Sequence, residues 1–178
     1  MNNFQIFATP WWVNLAIIVP IVSYFLWRKR GLFIPWPNIL YATLFAVGFG
    51  INEAVVIVYL RAGGGLLSTI YQPAQLLSTL PRTEVFREVA TILMLIAASL
   101  LAAKGLRERW AFFLWMFAFW DIFYYVGLWF AIQWPPSLLT QDVLFLIPVP
   151  WVAQVWFPVT VSSLAIIAVL LTRKNHGP

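Results

Sequence analysis

Five of the six acidic residues in this 178-residue chain lie inside long hydrophobic stretches or at their ends. Glu53 is within the second stretch, Glu84 and Glu88 open the third, Asp121 sits in the middle of the fourth, and Asp142 precedes the fifth. A bare carboxylate at the centre of a bilayer costs about 2.5–3.5 kcal/mol on insertion scales. Each of these acids must therefore be neutral, be paired, or face a wet cavity. The sixth, Glu108, lies among Lys104, Arg107 and Arg109, where solvated pairing explains it.

Partners are available nearby. Arg87 is three residues from Glu84, and Arg61 follows the second stretch. Tyr124 and Tyr125 come three and four residues after Asp121, on or near its helix face. Glu84 and Glu88 share a face at i,i+4 spacing, with Thr91 continuing it, and two such carboxylates repel. A cation between them would relieve this: Arg87, a metal ion or a ligand amine. Simpler readings exist for some of the set. Glu84 and Asp142 near helix starts suit the positive end of the helix dipole. A Glu53–Arg87 or Glu88–Arg61 pair could serve only to hold helices together. Asp121 has no basic residue near it in sequence and is the strongest functional candidate.

The chemistry this set favours is the binding of a small ligand or cation. Glu53, Glu84, Glu88, Asp121 and Asp142 would supply negative charge, Tyr124 and Tyr125 hydroxyls, and Arg87 a balancing cation. The alternative is a membrane-embedded enzyme acting on a lipid-like substrate, either by carboxylate acid–base chemistry or through a metal on Glu53, Glu88 and Asp121. There is no cysteine, and the one histidine is His176 near the C-terminus. Such a metal would then be an oxygen-preferring one, Mg, Mn or Fe, and neither haem nor an Fe–S cluster is expected. A third reading is a structural subunit of a membrane complex. No phosphate loop, dinucleotide fingerprint or nucleophile elbow is present, and Ser137, Ser162 and Ser163 have no histidine to form a triad.

The elements that must position these residues follow from composition. The chain is 62% hydrophobic and 10% charged, whereas soluble domains are roughly a quarter charged. So few charges cannot cover a water-facing surface, and lipid is the expected partner. Five hydrophobic runs, at about residues 11–27, 37–60, 83–103, 110–131 and 151–172, each approach the roughly 20 residues that span a bilayer. They predict an all-α, polytopic transmembrane bundle of five helices forming a single domain over 1–178. Other membrane subunits could join it. The basic cluster Arg28-Lys29-Arg30 follows the first run rather than preceding it, so that run is expected to stay as a helix instead of being cleaved as a signal peptide.

Arg28, Lys29, Arg30, Lys104, Arg107, Arg109, Arg173 and Lys174 all fall on one side of this arrangement. The positive-inside rule makes that side cytoplasmic, with the N-terminus out and the C-terminus in. The net charge of +5 is thus a topology signal and points to no nucleic acid. The expected location is a bacterial or archaeal cytoplasmic (inner) membrane. Trp11, Trp12, Trp129, Trp134 and Trp151 would belt the outer interface, and Trp27, Trp36 and Trp110 the inner one.

Two outer connections stand out. Residues 61–82 begin Arg-Ala-Gly-Gly-Gly, and then Ser68, Gln72, Gln75 and Thr79 recur at helical spacing. This predicts an amphipathic interfacial helix between helices 2 and 3, as a connector or a lid. Before helix 5, Val143–Pro150 contains Pro148 and Pro150 and is expected to be irregular or re-entrant. From the expected helix ends, Glu53 would lie about 10 Å deep, Glu88 about 8 Å and Asp121 about 15 Å. Together with Glu84 and Asp142 they would form an acidic funnel descending from the outer face.

Overall fold

The computed structural model describes residues 7–66 and 73–174, with side chains there except at 60–66 and 73–81. A 3-10 stretch, Trp11–Ile17, leads into α1 (Ile18–Trp27). The other helices are α2 (Trp36–Leu66), α3 (Pro73–Ala102), α4 (Leu106–Ile132) and α5 (Trp156–Thr172). Three are long and apolar enough to cross a membrane, over Trp36–Tyr59, Arg82–Ala102 and Leu106–Ile132. Trp11–Trp27 and Trp156–Thr172 are apolar but shorter. The 17 residues of α5 reach about 25 Å, a little less than a typical hydrocarbon core.

α4 is the hub. It packs against α2, α5 and α3, while α1 lies on α5. Of its apolar window 56% is buried, against 28% in α2 and 22% in α3. The α2–α4 seam is the closest, and its cause is visible in the sequence of α2. Ala42, Ala46, Gly50 and Ala54 recur every four residues and so share one face. All four are buried. A Cβ on Gly50 would collide with the backbone carbonyl oxygen of Trp120, and one on Gly127 of α4 would stand 2.8 Å from the Ala54 Cβ. Small residues let helix backbones approach where hydrophobic burial alone gives no drive to associate.

The basic residues close one end of the bundle. Arg109 Nε donates to the Ala103 carbonyl at 2.8 Å, and Arg173 Nε to the Ile34 carbonyl at 2.8 Å. The Arg173 guanidinium also stacks over Trp36 at 3.9 Å. A short parallel pair joins β1 (Leu32–Phe33), which follows α1, to β4 (Arg173–Lys174), which follows α5.

Three expectations need correction. α2 runs on to Leu66 and α3 starts at Pro73, well past the expected ends at 60 and 83. The second half of the expected interfacial helix is therefore the first part of α3; residues 67–72, with Ser68 and Gln72, lie outside the described residues. The longer helices also put Glu53 and Glu88 close to the midpoints of α2 and α3, deeper along each helix than expected. Finally, the fold is not purely helical. The segment before α5 is a β-hairpin of β2 (Gln141–Phe145) and β3 (Trp151–Gln154), and α5 begins at Trp156 rather than Trp151. Pro148 and Pro150 fall in the turn between the strands, where their missing amide protons are not needed for the ladder. Thr9 bridges to Val152 on the open edge of β3, through two bonds of 2.8 Å.

Candidate functional site

The hairpin lies over a cavity of about 360 Å³ enclosed by helices from across the bundle. α2 contributes Glu53, α3 contributes Glu84, Arg87 and Glu88, α4 contributes Asp121, Tyr124 and Tyr125, and the hairpin contributes Asp142. All eight residues singled out from sequence thus border one space. Its walls are aromatic: Phe117 and Trp120 from α4, Phe145 and Trp151 from the hairpin, and Phe157 from α5.

The acids differ in how they are met. Arg87 is the central cation: Nη1 pairs with Glu53 Oε1, while Nε and Nη2 both reach Glu84 Oε2, at 3.1 and 2.7 Å. The other Glu53 oxygen accepts from the buried Thr91 hydroxyl at 3.3 Å. Glu88 makes no ion pair among the described residues. Instead it accepts the backbone amides of Leu146 and Ile147 at the hairpin tip, at 2.8 and 3.2 Å. Asp142 accepts from the Tyr125 hydroxyl at 3.0 Å. Asp121, 8% exposed, accepts from the fully buried Ser162 of α5 at 2.8 Å and has no cation beside it among the described residues.

Glu88 therefore pins the hairpin to α3. Glu88→Gln keeps one acceptor oxygen but loses the charge, and a hydrogen bond to a charged group exceeds a neutral one by roughly 1 kcal/mol. Exchange of the Leu146 and Ile147 amides should accelerate about fivefold, read by hydrogen–deuterium exchange, with α4 amides unchanged. Equal protection in wild type and variant would mean the carboxylate holds nothing.

The same pairing answers the metal expectation. Among the described residues no three acidic or histidine side chains are grouped so as to hold a metal ion. Glu53 faces Arg87, Glu88 faces the hairpin amides and Asp121 faces Ser162, so the three carboxylates expected to share an ion are each turned to a different partner. The Mg, Mn or Fe site on Glu53, Glu88 and Asp121 is not supported.

A second pattern marks the cavity. Three indole N–H groups elsewhere find acceptors: Trp110 donates to Ser23, Trp115 to Thr43 and Trp156 to Gln154. Four buried side-chain polar atoms among the described residues lack a hydrogen bond: Glu53 Oε1, Glu84 Oε1, Trp120 Nε1 and Trp151 Nε1. All four belong to residues lining this cavity. Glu53 Oε1 is compensated by Arg87. The other three comprise one acceptor and two donors, and buried polar groups without partners are rare enough to need a reason.

Sequence reading missed several of these features. In sequence Ser162 reads only as a nucleophile without a histidine, although a hydroxyl within an apolar helix is also a natural partner for a buried acid. Trp120 and Trp151 are indistinguishable in sequence from the aromatics that face lipid. The hairpin amides are backbone groups and carry no sequence signal. Two polar residues near the acids in sequence point elsewhere: Asn52, beside Glu53, is exposed, and Gln154 accepts from Trp156. No protein-family model, curated protein or solved structure matches the chain.

Proposed function

We propose that this chain is a polytopic membrane protein that binds a small organic cation in the cavity beneath its hairpin. In this reading all five helices cross the bilayer, the basic end is cytoplasmic, and the cavity faces outward. The observation that carries it is the composition of the cavity: five carboxylates against one guanidinium, with the unsatisfied buried polar atoms gathered on its lining. Arg87 is already shared between Glu53 and Glu84, which leaves Asp121 as the natural seat for a ligand ammonium. Aromatic rings favour a cation electrostatically as well. The unpartnered donors on Trp120 and Trp151 call for an acceptor, so the ligand carries an oxygen close to its positive charge.

The test uses 2-methoxyethylamine, which has both groups and is too short to dissolve in lipid. Saturation-transfer NMR on the protein purified in a maltoside detergent should give saturable binding. Neutral 2-methoxyethanol should not compete. Asp121→Asn should weaken binding ten- to a hundredfold, since a charge-assisted hydrogen bond contributes about 1.5–3 kcal/mol. Binding that is absent, or indifferent to Asp121→Asn, would sink the reading.

One observation favours the structural-subunit alternative: Glu53, Glu84 and Glu88 already have partners within the protein. That reading expects Asp121→Asn to change stability or assembly and nothing else.

A further inference from the structure

Beside the acidic cavity lies a second space of about 410 Å³ with a different character. Val89, Ile92 and Leu93 of α3 form one side and Ile147 of the hairpin another, and Glu88 is its one polar lining residue among those described. Val89 and Leu93 are 41% and 59% exposed on the outer surface of α3, so this groove is reachable from the side. Glu88, Phe117, Phe145 and Trp151 line both spaces. The partition is thus built of side chains: Phe117 and Phe145 are stacked with ring centroids 6.2 Å apart, and Phe145 meets Trp151 at 5.3 Å.

We propose that cavity and groove form one bipartite site for an amphiphile, with the ammonium and its neighbouring oxygen in the cavity and a hydrocarbon chain in the groove. This rests on the cation-binding reading above and names the class of ligand within it. Charge selects the head, because four of the five acids line the cavity alone and the fifth, Glu88, sits at the partition with its carboxylate already bonded to the hairpin amides. Trp151 marks the junction. It borders both spaces, and its buried N–H has no acceptor among the described residues, which is where the oxygen linking head to chain would sit. Because the partition is made of side chains, a chain would pass it by rotamer changes of Phe117 and Phe145 and not by movement of a helix.

The experiment is photolabelling of the full chain in nanodiscs of zwitterionic lipid. The probe is 2-(dodecyloxy)ethylamine carrying a diazirine at the chain end. Labels should concentrate on residues 89–93 and on Ile147. Unlabelled 2-(dodecyloxy)ethylamine should suppress them at least tenfold better than 2-(dodecyloxy)ethanol, which has the same chain and ether but no charge. Leu93→Trp, filling the groove from an exposed position, should cut labelling at least fivefold. Leu101→Trp, at an 88% exposed position further along α3, should leave it unchanged. Labels spread evenly over the lipid-facing helices, or equal competition by the alcohol, would overturn the proposal. If labels spread while 2-methoxyethylamine still binds through Asp121, the amphiphile fails alone; if neither amine binds, both readings fail.

Discussion

Arg87→Met is expected to destabilise the folded protein by about 3–5 kcal/mol, the typical result of removing one partner from a buried ion pair. The size follows from what is left behind. Among the described residues Arg87 is the one cation facing both Glu53, whose side chain is 5% exposed, and Glu84, 21% exposed. Without it two carboxylates on adjacent helices lose their compensation together. Arg87→Lys should recover only part of the loss, because an ammonium lacks the fork that lets the guanidinium meet Glu53 with one nitrogen and Glu84 with two others. Glu53→Gln in the Arg87→Met background should restore part of the stability, since a neutral amide needs no cation while Glu84 still lacks one. Reversible unfolding in mixed micelles with increasing SDS measures all three. A cost below about 1 kcal/mol for Arg87→Met would place the trio in the class of solvated surface pairs.

The second large effect concerns Gly50. Gly50→Leu should cost about 3 kcal/mol, the upper end of overpacking penalties, because the obstacle is backbone and cannot rotate away. The new Cβ would meet the Trp120 carbonyl oxygen and stand 3.0 Å from the Tyr124 amide nitrogen. α2 would have to lift off α4, carrying Glu53 away from the residues it faces. The neighbouring glycine gives the opposite sign. A Cβ at Gly48 meets nothing within 4 Å, so Gly48→Ala should stabilise by up to about 1 kcal/mol through helix propensity alone. The same unfolding assay compares the pair. Equal responses at positions 48 and 50 would show that the α2–α4 seam is looser than its geometry implies.

Helix number, three of the five expected spans and the identity of the cavity-lining acids were legible because each rests on a strong local signal. Charge is so unfavourable in an apolar run that Glu53, Glu88 and Asp121 had to be explained from sequence alone. Arg87 was readable as a partner of Glu84 because i,i+3 spacing fixes the neighbour. Its second partner, Glu53, lies on another helix and remained one of two open pairings. The hairpin was harder. Its strands are short and its two prolines mark the turn, so the sequence says only that helix is interrupted. The Ala42–Ala46–Gly50–Ala54 stripe was present in the sequence throughout, but small residues draw little notice among bulkier apolar ones. Only the packing of α2 on α4 makes their spacing meaningful. Residues 67–72 of the expected connector or lid fall outside the described residues.

The contact between α1 and α5, clasped below by β1 and β4, bears on how the chain is made. α1 is made before α2, α3 and α4, yet its packing partner is α5, which comes after them all. Leu32 and Phe33 likewise wait for Arg173 and Lys174 before their strand can pair. The bundle cannot be finished one neighbour at a time. On the membrane reading proposed above, α1 waits without its partner while α2, α3 and α4 assemble. A ribosome halted before α5 would leave both the α1–α5 contact and the β1–β4 pairing unmade.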